Sequence, residues 1–143
     1  MKQSLIILLL LISYQGFSQN WTTNFEKAKD QSALQDKKIV LVFSGSDWCG
    51  PCIKLEKEIW QSHEFISFAD ENLILLKADF PRKKKNKLSK EQQIQNDMLA
   101  EKYHARFPWI VVLDSKGNVL DAFGFVKNYT PQDYINRISK INI

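Results

Sequence analysis

Two stretches of this chain consist almost wholly of β-forming apolar residues, Ile39–Phe43 and Leu73–Phe80. A strand with one solvated face alternates apolar and polar residues, whereas a continuous apolar run is typical of a strand buried on both faces. Such a strand needs helices on either side of its sheet. The two runs therefore predict an α/β domain built around a central sheet.

Helical patterns with capping residues alternate with these strands. The predicted helices are one over residues 23–35 that starts at a Thr23–Glu26 capping box, one that follows Cys52, and three that begin after Ser62, Ser89 and Thr130. Two further strands, Trp109–Leu113 and Val119–Phe123, flank a turn and predict a hairpin. The order α-β-α-α-β-α-β-β-α predicts a mixed sheet of about four strands with helices on both faces, including an extra N-terminal helix.

The first 18 residues differ in character from the rest. Lys2 precedes an unbroken apolar run, Leu5–Ile12, and small residues follow at Gly16 and Ser18. This pattern is typical of a secretory signal peptide, and the run spans only about 12 Å as a helix, which disfavours a permanent membrane anchor. The alternative is an N-terminal strand or helix in the core. We expect residues 1–18 to be a cleaved signal peptide, residues 19–143 to form one domain, and the protein to be periplasmic or secreted.

Positive charge is concentrated in residues 82–90, which we call the basic segment. The chain has 20 basic and 16 acidic residues, and six of the basic residues lie here: Arg82, Lys83, Lys84, Lys85, Lys87 and Lys90. The rest of the chain is therefore not a polycation, and it carries no nucleic-acid-reading motif, so we expect no nucleic-acid partner. The basic segment is either a solvated surface insertion or a docking patch for an acidic partner or anionic lipid.

A pair of cysteines lies between the first predicted strand and the helix after it, in the sequence Trp48-Cys49-Gly50-Pro51-Cys52. This motif resembles the active site of the thioredoxin superfamily. Phe107–Pro108 lies between a helix and the hairpin, where that family keeps a cis-proline. With the preceding Gly-Ser-Asp, the chain is similar to exported thioredoxin-like proteins related to the soluble domains of thiol:disulfide interchange proteins. The resemblance covers residues 21–143 and implies a thioredoxin-like fold.

The spacing of the two cysteines suits redox chemistry. Cysteines three positions apart at a helix start lie about one turn from each other, with Cα atoms about 5–6 Å apart, which suits a disulfide. Cys49 should meet unpaired backbone N–H groups and the positive end of the helix dipole, and both favour the thiolate. We expect Cys49 to be the nucleophile that attacks a substrate disulfide. Cys52, on the next turn and less exposed, should resolve the mixed disulfide.

The resemblance also implies a substrate-binding surface around the cysteines, formed by Trp48, Gly50, Pro51, Phe107 and Pro108. Trp48 would border the site with an apolar face, although a tryptophan here can also belong to the core. A cis Phe107–Pro108 bond would present backbone groups to an extended substrate. Phe107 is bulkier and more apolar than the residue that the family usually has there.

One departure from the family concerns proton transfer. Many thioredoxins have a buried acid six residues before the first cysteine, where this chain has Phe43. Deprotonation of Cys52 must then depend on water, on Glu56 or on Asp47. We expect Glu56 to be a solvent-exposed helix residue, because charged side chains are rarely buried completely.

Metal binding is a weaker hypothesis for the same cysteines. Cys49, Cys52, His63 and His104 would supply four zinc ligands, but the two histidines are much further apart than in the usual zinc-binding spacing. A Cu(I) carrier would use the same thiols, with further ligands that the sequence does not identify. We expect no metal or other cofactor, and we expect both histidines at the surface or at an interface.

These features predict an exported thiol–disulfide oxidoreductase that acts as a monomer on disulfide-containing proteins. Gly-Pro between the cysteines resembles the reducing members of the superfamily. Because compartments outside the cytoplasm are oxidising, such a reductase needs a donor, and we expect a membrane-embedded thiol protein. The alternative is a thioredoxin-fold binding module whose working surface is the basic segment.

Overall fold

The structure, a computed structural model, describes residues 19–143, and the predicted signal peptide over residues 1–18 lies outside the described residues. The described chain forms a five-stranded sheet with the spatial order β1-β3-β2-β4-β5. The strands are β1 (Trp21–Thr22), β2 (Lys38–Ser44), β3 (Leu73–Asp79), β4 (Trp109–Leu113) and β5 (Val119–Phe123). Strands β1, β3 and β2 are parallel, whereas β4 is antiparallel to both β2 and β5. The sheet is therefore mixed, as predicted.

Helices cover both faces of this sheet. In residues 19–143 they are α1 (Phe25–Gln35), α2 (Gly50–Leu55), α3 (His63–Asn72), α4 (Lys90–Lys102) and α5 (Pro131–Ser139). A π-helical turn over Glu56–Trp60 continues α2, and a 3₁₀ turn over Lys84–Asn86 precedes α4. None of the helices in the described chain has the length and apolar character needed to cross a membrane.

The sheet separates two apolar cores, because successive side chains of a strand point to opposite faces. Val40 and Val42 of β2 belong to the core beneath α2, α3 and α5. Ile39, Leu41 and Phe43 belong to the core beneath α1 and α4. All five side chains are at most 2% exposed. The continuous apolar run of β2 is therefore buried on both faces, as predicted.

The fifth strand was not predicted. β1 contains only Trp21 and Thr22, which pair in parallel with Leu75 and Leu76 of β3. Two residues are too few to display a strand periodicity, so the pairing depends on the sheet edge that β3 offers. The prediction of about four strands is corrected to five.

The start of the first helix also differs from the prediction. Asn24 is the N-cap residue of α1, and its side chain accepts a hydrogen bond from the Lys27 N–H at 2.9 Å. Thr23 lies in the connection from β1, so the predicted capping box at Thr23 is wrong. The predicted caps of α3, α4 and α5 are confirmed, because the side chains of Ser62, Ser89 and Thr130 accept hydrogen bonds from the first helical turns.

The pairing of β2 with β3 determines what lies beside the cysteines. Ser44 and Asp79, the last residues of the two strands, are register partners. The Phe80 N–H extends this contact by donating to the Ser44 carbonyl at 2.8 Å. The carboxyl ends of two parallel strands lie at the same edge of a sheet, so the loop after β2 lies against the segment after β3.

Candidate active site

The loop between β2 and α2 places Cys49 at the N-terminus of α2. The Cys49 N–H donates to the Gly45 carbonyl at 2.9 Å, which closes the loop directly after the strand. Cys49 has an extended backbone and is the N-cap residue of α2, and Pro51 lies in the first turn, where its missing N–H leaves no helical hydrogen bond unmade. Cys49 and Cys52 form a disulfide with their Cα atoms 5.2 Å apart. This separation agrees with the predicted range.

Each of the two sulfur atoms accepts a hydrogen bond from a backbone N–H group. The Cys52 N–H donates to Cys49 Sγ at 3.3 Å, and the Gly45 N–H donates to Cys52 Sγ at 3.5 Å. These donors, together with the helix N-terminus, favour negative charge on sulfur once the disulfide is reduced. Cys49 is 5% exposed and Cys52 is 3% exposed, while Gly50 and Pro51 between them are exposed. The oxidised pair is therefore covered on the protein side and borders solvent at Gly50 and Pro51.

Trp48 lies at the border of the cysteine pair and outside both apolar cores. Its indole Nε1 donates to the Phe80 carbonyl at 2.7 Å. Its ring meets the Phe107 ring edge-on at a centroid distance of 5.5 Å, and the Arg82 guanidinium lies 3.7 Å from the indole centroid. Trp48 is half-buried, and neither core cluster includes it. Its position therefore matches the predicted apolar border and not the alternative of a core tryptophan.

The Phe107–Pro108 peptide bond is cis, as the resemblance implies. Pro108 is buried, whereas Phe107 is 37% exposed. The Phe107 ring contacts Trp48 and also meets Phe80 edge-on at 5.1 Å. The three aromatic rings thus join the cis bond to the residue that precedes Cys49.

The side chain six residues before Cys49 is buried in an apolar core. Phe43 is 0% exposed and packs in the core beneath α1 and α4, where its ring is 6.5 Å from that of Phe80. No carboxylate of the described chain occupies the place of the family's buried acid, because this side chain fills it. The proton of Cys52 must therefore leave by another route.

Glu56 is the carboxylate that shares a pocket with Cys52. The pocket has a volume of about 280 Å³, and it is lined by Cys52, Glu56, Lys77, Ser44, Ser46, Ile53, Lys57 and Gln61. Glu56 Oε2 accepts from Lys77 Nζ at 2.8 Å, and 35% of the Glu56 side chain is exposed. Glu56 is thus partly exposed, as expected of a side chain that is not fully buried, but it is also paired with Lys77. The π-helical turn that starts at Glu56 directs this carboxylate to a cation on β3.

Asp47 is directed away from this pocket and towards the basic segment. Its carboxylate accepts hydrogen bonds from the N–H groups of Arg82 and Lys83 at 2.9 and 3.0 Å and from Asn86 Nδ2 at 2.9 Å. The backbone hydrogen bond from Arg82 is the largest cause that lowers the pKa of Asp47. Asp47, one of the three alternatives for deprotonating Cys52, is thus a hydrogen-bond acceptor for the basic segment.

The zinc hypothesis finds no geometric support. Across residues 19–143, no three His, Cys, Asp or Glu side chains converge as metal ligands. His63 and His104 are exposed and do not join the cysteines. The same result leaves the Cu(I) hypothesis with the two thiols alone.

Sequence reasoning missed three residues of this site: Lys77, Asp79 and Phe80. Asp79 accepts hydrogen bonds from Ser46 N and Ser46 Oγ at 2.9 and 2.5 Å, and so it holds the loop before Trp48. Lys77 and Asp79 are the charged residues of β3, whose other residues are apolar. Because charged groups in a buried strand need partners, these two residues could have been identified from the sequence. Phe80 could not be identified, because its role depends on the register of β2 and β3.

Comparisons with known proteins agree with this geometry. A family model described as thioredoxin-like matches residues 20–115. The disulfide bond reductase DsbH of Chlamydia pneumoniae is 39% identical over 103 residues, which are 71% of this chain and 61% of that protein. The chain thus spans less than two thirds of this relative's length.

Comparison with solved structures also finds similarity to disulfide oxidoreductases. A structure of the DsbH oxidoreductase superposes with a TM-score of 0.76 and 32% identity, over 91% of this chain and 90% of that one. The C-terminal domain of Neisseria meningitidis DsbD in its oxidised form shares the fold, with a TM-score of 0.56 and 18% identity over 82% of this chain and 90% of that one. The Cys-X-X-Cys pair, the cis-proline and the family match lead to one conclusion: the chain belongs to the thioredoxin-like family.

Proposed function

We propose that this protein is an exported thiol–disulfide oxidoreductase that reduces or exchanges disulfides in protein substrates. The observation that carries the proposal is the Cys49–Cys52 disulfide at the start of α2, with Cys49 Sγ accepting the Cys52 N–H. A dithiol and a disulfide at the same two sulfurs are the two states that such an enzyme alternates between. The match to a disulfide bond reductase supports the same activity.

The first chemical step is an attack by Cys49. Its thiolate displaces one sulfur of the substrate disulfide, so that a Cys49–substrate disulfide forms and the other substrate sulfur leaves as a thiolate and takes a proton. The N–H of Cys52 at 3.3 Å and the N-terminus of α2 stabilise the attacking thiolate. Gly50 and Pro51 are exposed, which leaves the attacking side open to a substrate chain.

The second step is the resolution of the mixed disulfide by Cys52. Cys52 loses its proton, attacks Cys49 Sγ and releases the second substrate sulfur as a thiolate. The substrate gains two electrons and two protons, and the enzyme is left with the Cys49–Cys52 disulfide. Glu56 accepts the Cys52 proton through solvent in the pocket of about 280 Å³ that both residues line, while Lys77 keeps the carboxylate in place.

The substrate chain lies across the surface formed by Trp48, Gly50, Pro51, Phe107 and Pro108. The cis Phe107–Pro108 bond and the Trp48–Phe107 contact support this assignment, because they bring an exposed aromatic ring and an irregular backbone next to Trp48, the residue before Cys49. Aromatic rings of this kind contribute contact area without requiring a particular substrate sequence.

The working compartment is the periplasm or the exterior of the cell. The charged start and the apolar run of residues 1–18 support export by a signal peptide. The enzyme must be reduced again after each turnover, and a membrane-embedded thiol protein is the class of donor that supplies electrons to an oxidising compartment. The protein works as a monomer and requires no cofactor for this exchange.

The test of the activity is the reduction of insulin driven by dithiothreitol. Cys49→Ser abolishes turnover, because the attacking sulfur is gone. Cys52→Ser still attacks and accumulates mixed disulfides that contain Cys49, which mass spectrometry detects. Insulin reduction by Cys49→Ser at the rate of the unmodified protein would reject these roles.

The direction of electron flow is tested by equilibration with a glutathione buffer. A reductase of this kind has a reduction potential near that of thioredoxin, about −270 mV, and an oxidant lies near −120 mV. We expect the Cys49–Cys52 pair at the reducing end. A potential near the oxidising end would contradict the reductase assignment and leave exchange or oxidation.

A further inference from the structure

The basic segment is joined to the cysteine motif by several hydrogen bonds. Ser46 donates to Asp79 at the end of β3, and Trp48 Nε1 donates to the carbonyl of Phe80. Asp47 then accepts three hydrogen bonds from Arg82, Lys83 and Asn86. Each residue of the loop from Ser46 to Trp48 therefore contacts the stretch that leads from β3 into the basic segment.

This arrangement places a permanent cation next to the reactive pair. The Arg82 guanidinium lies 3.7 Å from the centroid of Trp48, the residue before Cys49. A guanidinium stacked on an indole keeps its N–H groups free to bind carboxylates at its edge. The positive charge of the segment therefore begins at the border of the proposed substrate surface.

The lysines that follow Arg82 are available to a partner. Lys83, Lys84, Lys85 and Lys87 are exposed, and none of them forms a salt bridge within residues 19–143. Asp47, whose carboxylate touches the segment, is occupied by hydrogen bonds from N–H groups. Asp47 offsets only part of the positive charge, because its Coulombic interaction within the segment is with Lys83. The exposed lysines that remain create a positive potential that attracts acidic groups.

A protein substrate necessarily brings its own residues to this place. The disulfide that Cys49 attacks is embedded in a chain, and each residue of an extended chain spans about 3.3 Å. Residues a few positions from the target cysteine are therefore within reach of Arg82, which lies against the residue before Cys49. A membrane is the less suitable partner, because Leu88 is the one large apolar residue in the segment, and stable membrane anchoring combines basic charge with a second, apolar contribution.

We propose that the basic segment selects protein substrates in which aspartate or glutamate residues flank the reactive disulfide. The inference rests on the proposed oxidoreductase function and adds a substrate preference to it. Its physical content is electrostatic: the segment raises the rate of encounter with acidic chains and leaves the sulfur chemistry unchanged. The preference should therefore weaken as the salt concentration rises.

The test compares two disulfide-linked fluorogenic peptides that differ only in their flanking residues. One has aspartate and glutamate beside the cysteines, and the other has serine and glutamine at the same positions. At about 20 mM salt we expect kcat/KM for the acidic peptide to exceed that for the neutral peptide by about tenfold. At about 500 mM salt, where the Debye length is only a few ångströms, the two values should converge.

Two charge-matched variants locate the effect. Lys84→Gln/Lys85→Gln removes two exposed cations of the basic segment. Lys116→Gln/Lys140→Gln removes two exposed cations from the turn after β4 and the end of α5, at the far end of the sheet. We expect the first variant to lose about fivefold in kcat/KM for the acidic peptide at low salt and the second to lose less than about twofold. Turnover of the neutral peptide should be the same for both variants and the unmodified protein.

Each outcome either supports or overturns the inference. Equal turnover of the two peptides by the unmodified protein at low salt would overturn it, and so would equal losses in the two variants. Anionic vesicles of phosphatidylglycerol that bind the unmodified protein but not Lys84→Gln/Lys85→Gln, without peptide discrimination, would assign the charge to a membrane instead. The neutral peptide reports on the oxidoreductase function alone. If it does not react, the proposed function is wrong; if it reacts as fast as the acidic peptide, only the proposed substrate preference is wrong.

Discussion

Replacing Gly45 by alanine should displace Trp48 from its place beside the cysteines. A Cβ atom built on Gly45 would lie 2.6 Å from Cζ2 and 2.7 Å from Nε1 of the indole. Atoms at these distances overlap, and the indole is a rigid ring, so the whole side chain must move. The conflict exists because the Trp48 N–H and the Cys49 N–H both bond the Gly45 carbonyl, which holds the loop closed beneath the ring.

The cost follows from the contacts that Trp48 would lose. They are the hydrogen bond to the Phe80 carbonyl, the edge-on contact with Phe107 and the stacking of Arg82. Typical values are about 1 kcal/mol for the hydrogen bond, about 0.5–1.5 kcal/mol for an aromatic pair and about 0.5–1 kcal/mol for an exposed cation–π contact. Because the displaced ring keeps part of its packing, we expect Gly45→Ala to lower the free energy of unfolding by about 2 kcal/mol.

The assay is urea unfolding of the oxidised protein. With a slope of about 1–3 kcal/mol per molar urea, the midpoint should fall by about 1 M. Gly50→Ala is the matched glycine control, because nothing lies within 4 Å of a Cβ at that position. We expect this control to keep the midpoint of the unmodified protein or raise it slightly.

A double-mutant cycle decides whether the cost arises at Trp48. In a Trp48→Ala background the added methyl group at Gly45 meets no ring, so Gly45→Ala should then cost less than about 0.5 kcal/mol. If the same substitution costs about 2 kcal/mol in both backgrounds, the loss comes from the backbone of the loop. That result would refute the argument from the indole.

Three further predictions concern charge. Asp47→Ala removes a negative charge beside the basic segment, and charge alone would then increase the preference for the acidic peptide. We expect the preference to decrease instead, because Arg82 and Lys83 lose the carboxylate that holds them beside the cysteine loop. A larger preference would show that charge alone matters. The hydrogen bonds from Arg137 lower the pKa of Asp121 below its ordinary 3.8, so the ionised carboxylate stabilises the fold above that pH. Asp121→Asn should therefore reduce the free energy of unfolding by about 0.5–1 kcal/mol at about pH 7. The difference in stability between the variant and the unmodified protein should shrink as the pH falls below 3.8, where the carboxylate of the unfolded chain is protonated. A difference at about pH 3 equal to that at about pH 7 would contradict this prediction. The alkylation rate of Cys49 in the reduced protein should rise with pH with a midpoint below about 8.5, the value of a free cysteine, and a midpoint at that value would remove the basis of the proposed nucleophile.

The four longer strands, β2 to β5, were the most predictable part of the molecule, for a simple physical reason. A strand that is buried on both faces must be apolar throughout, and β2 shows this directly in its sequence. The hairpin strands Trp109–Leu113 and Val119–Phe123 agree with the prediction residue for residue, because the turn between them has strong local determinants. In that turn Asp114 accepts hydrogen bonds from Lys116 and Asn118.

The environment of the two candidate acids was not predictable from local sequence. Glu56 pairs with Lys77, a residue 21 positions away on β3, and this contact depends on how the π-helical turn packs against the sheet. Asp47 bonds Arg82 and Lys83, which are 35 and 36 positions away. Helical periodicity identifies the exposed face of a helix, but it does not identify which distant cation lies opposite that face. The cysteine pair, in contrast, is a local motif, and its place at the helix start was predicted.

The register of Ser44 with Asp79 has a consequence for how proteins of this architecture can diversify. Residues inserted directly after β3 emerge beside the loop that carries the dithiol. The connection between β3 and α4 can therefore change in length and charge while the two apolar cores and the cysteine pair stay the same. If the basic segment selects substrates as proposed, transplanting the connection between homologous enzymes would transfer that preference.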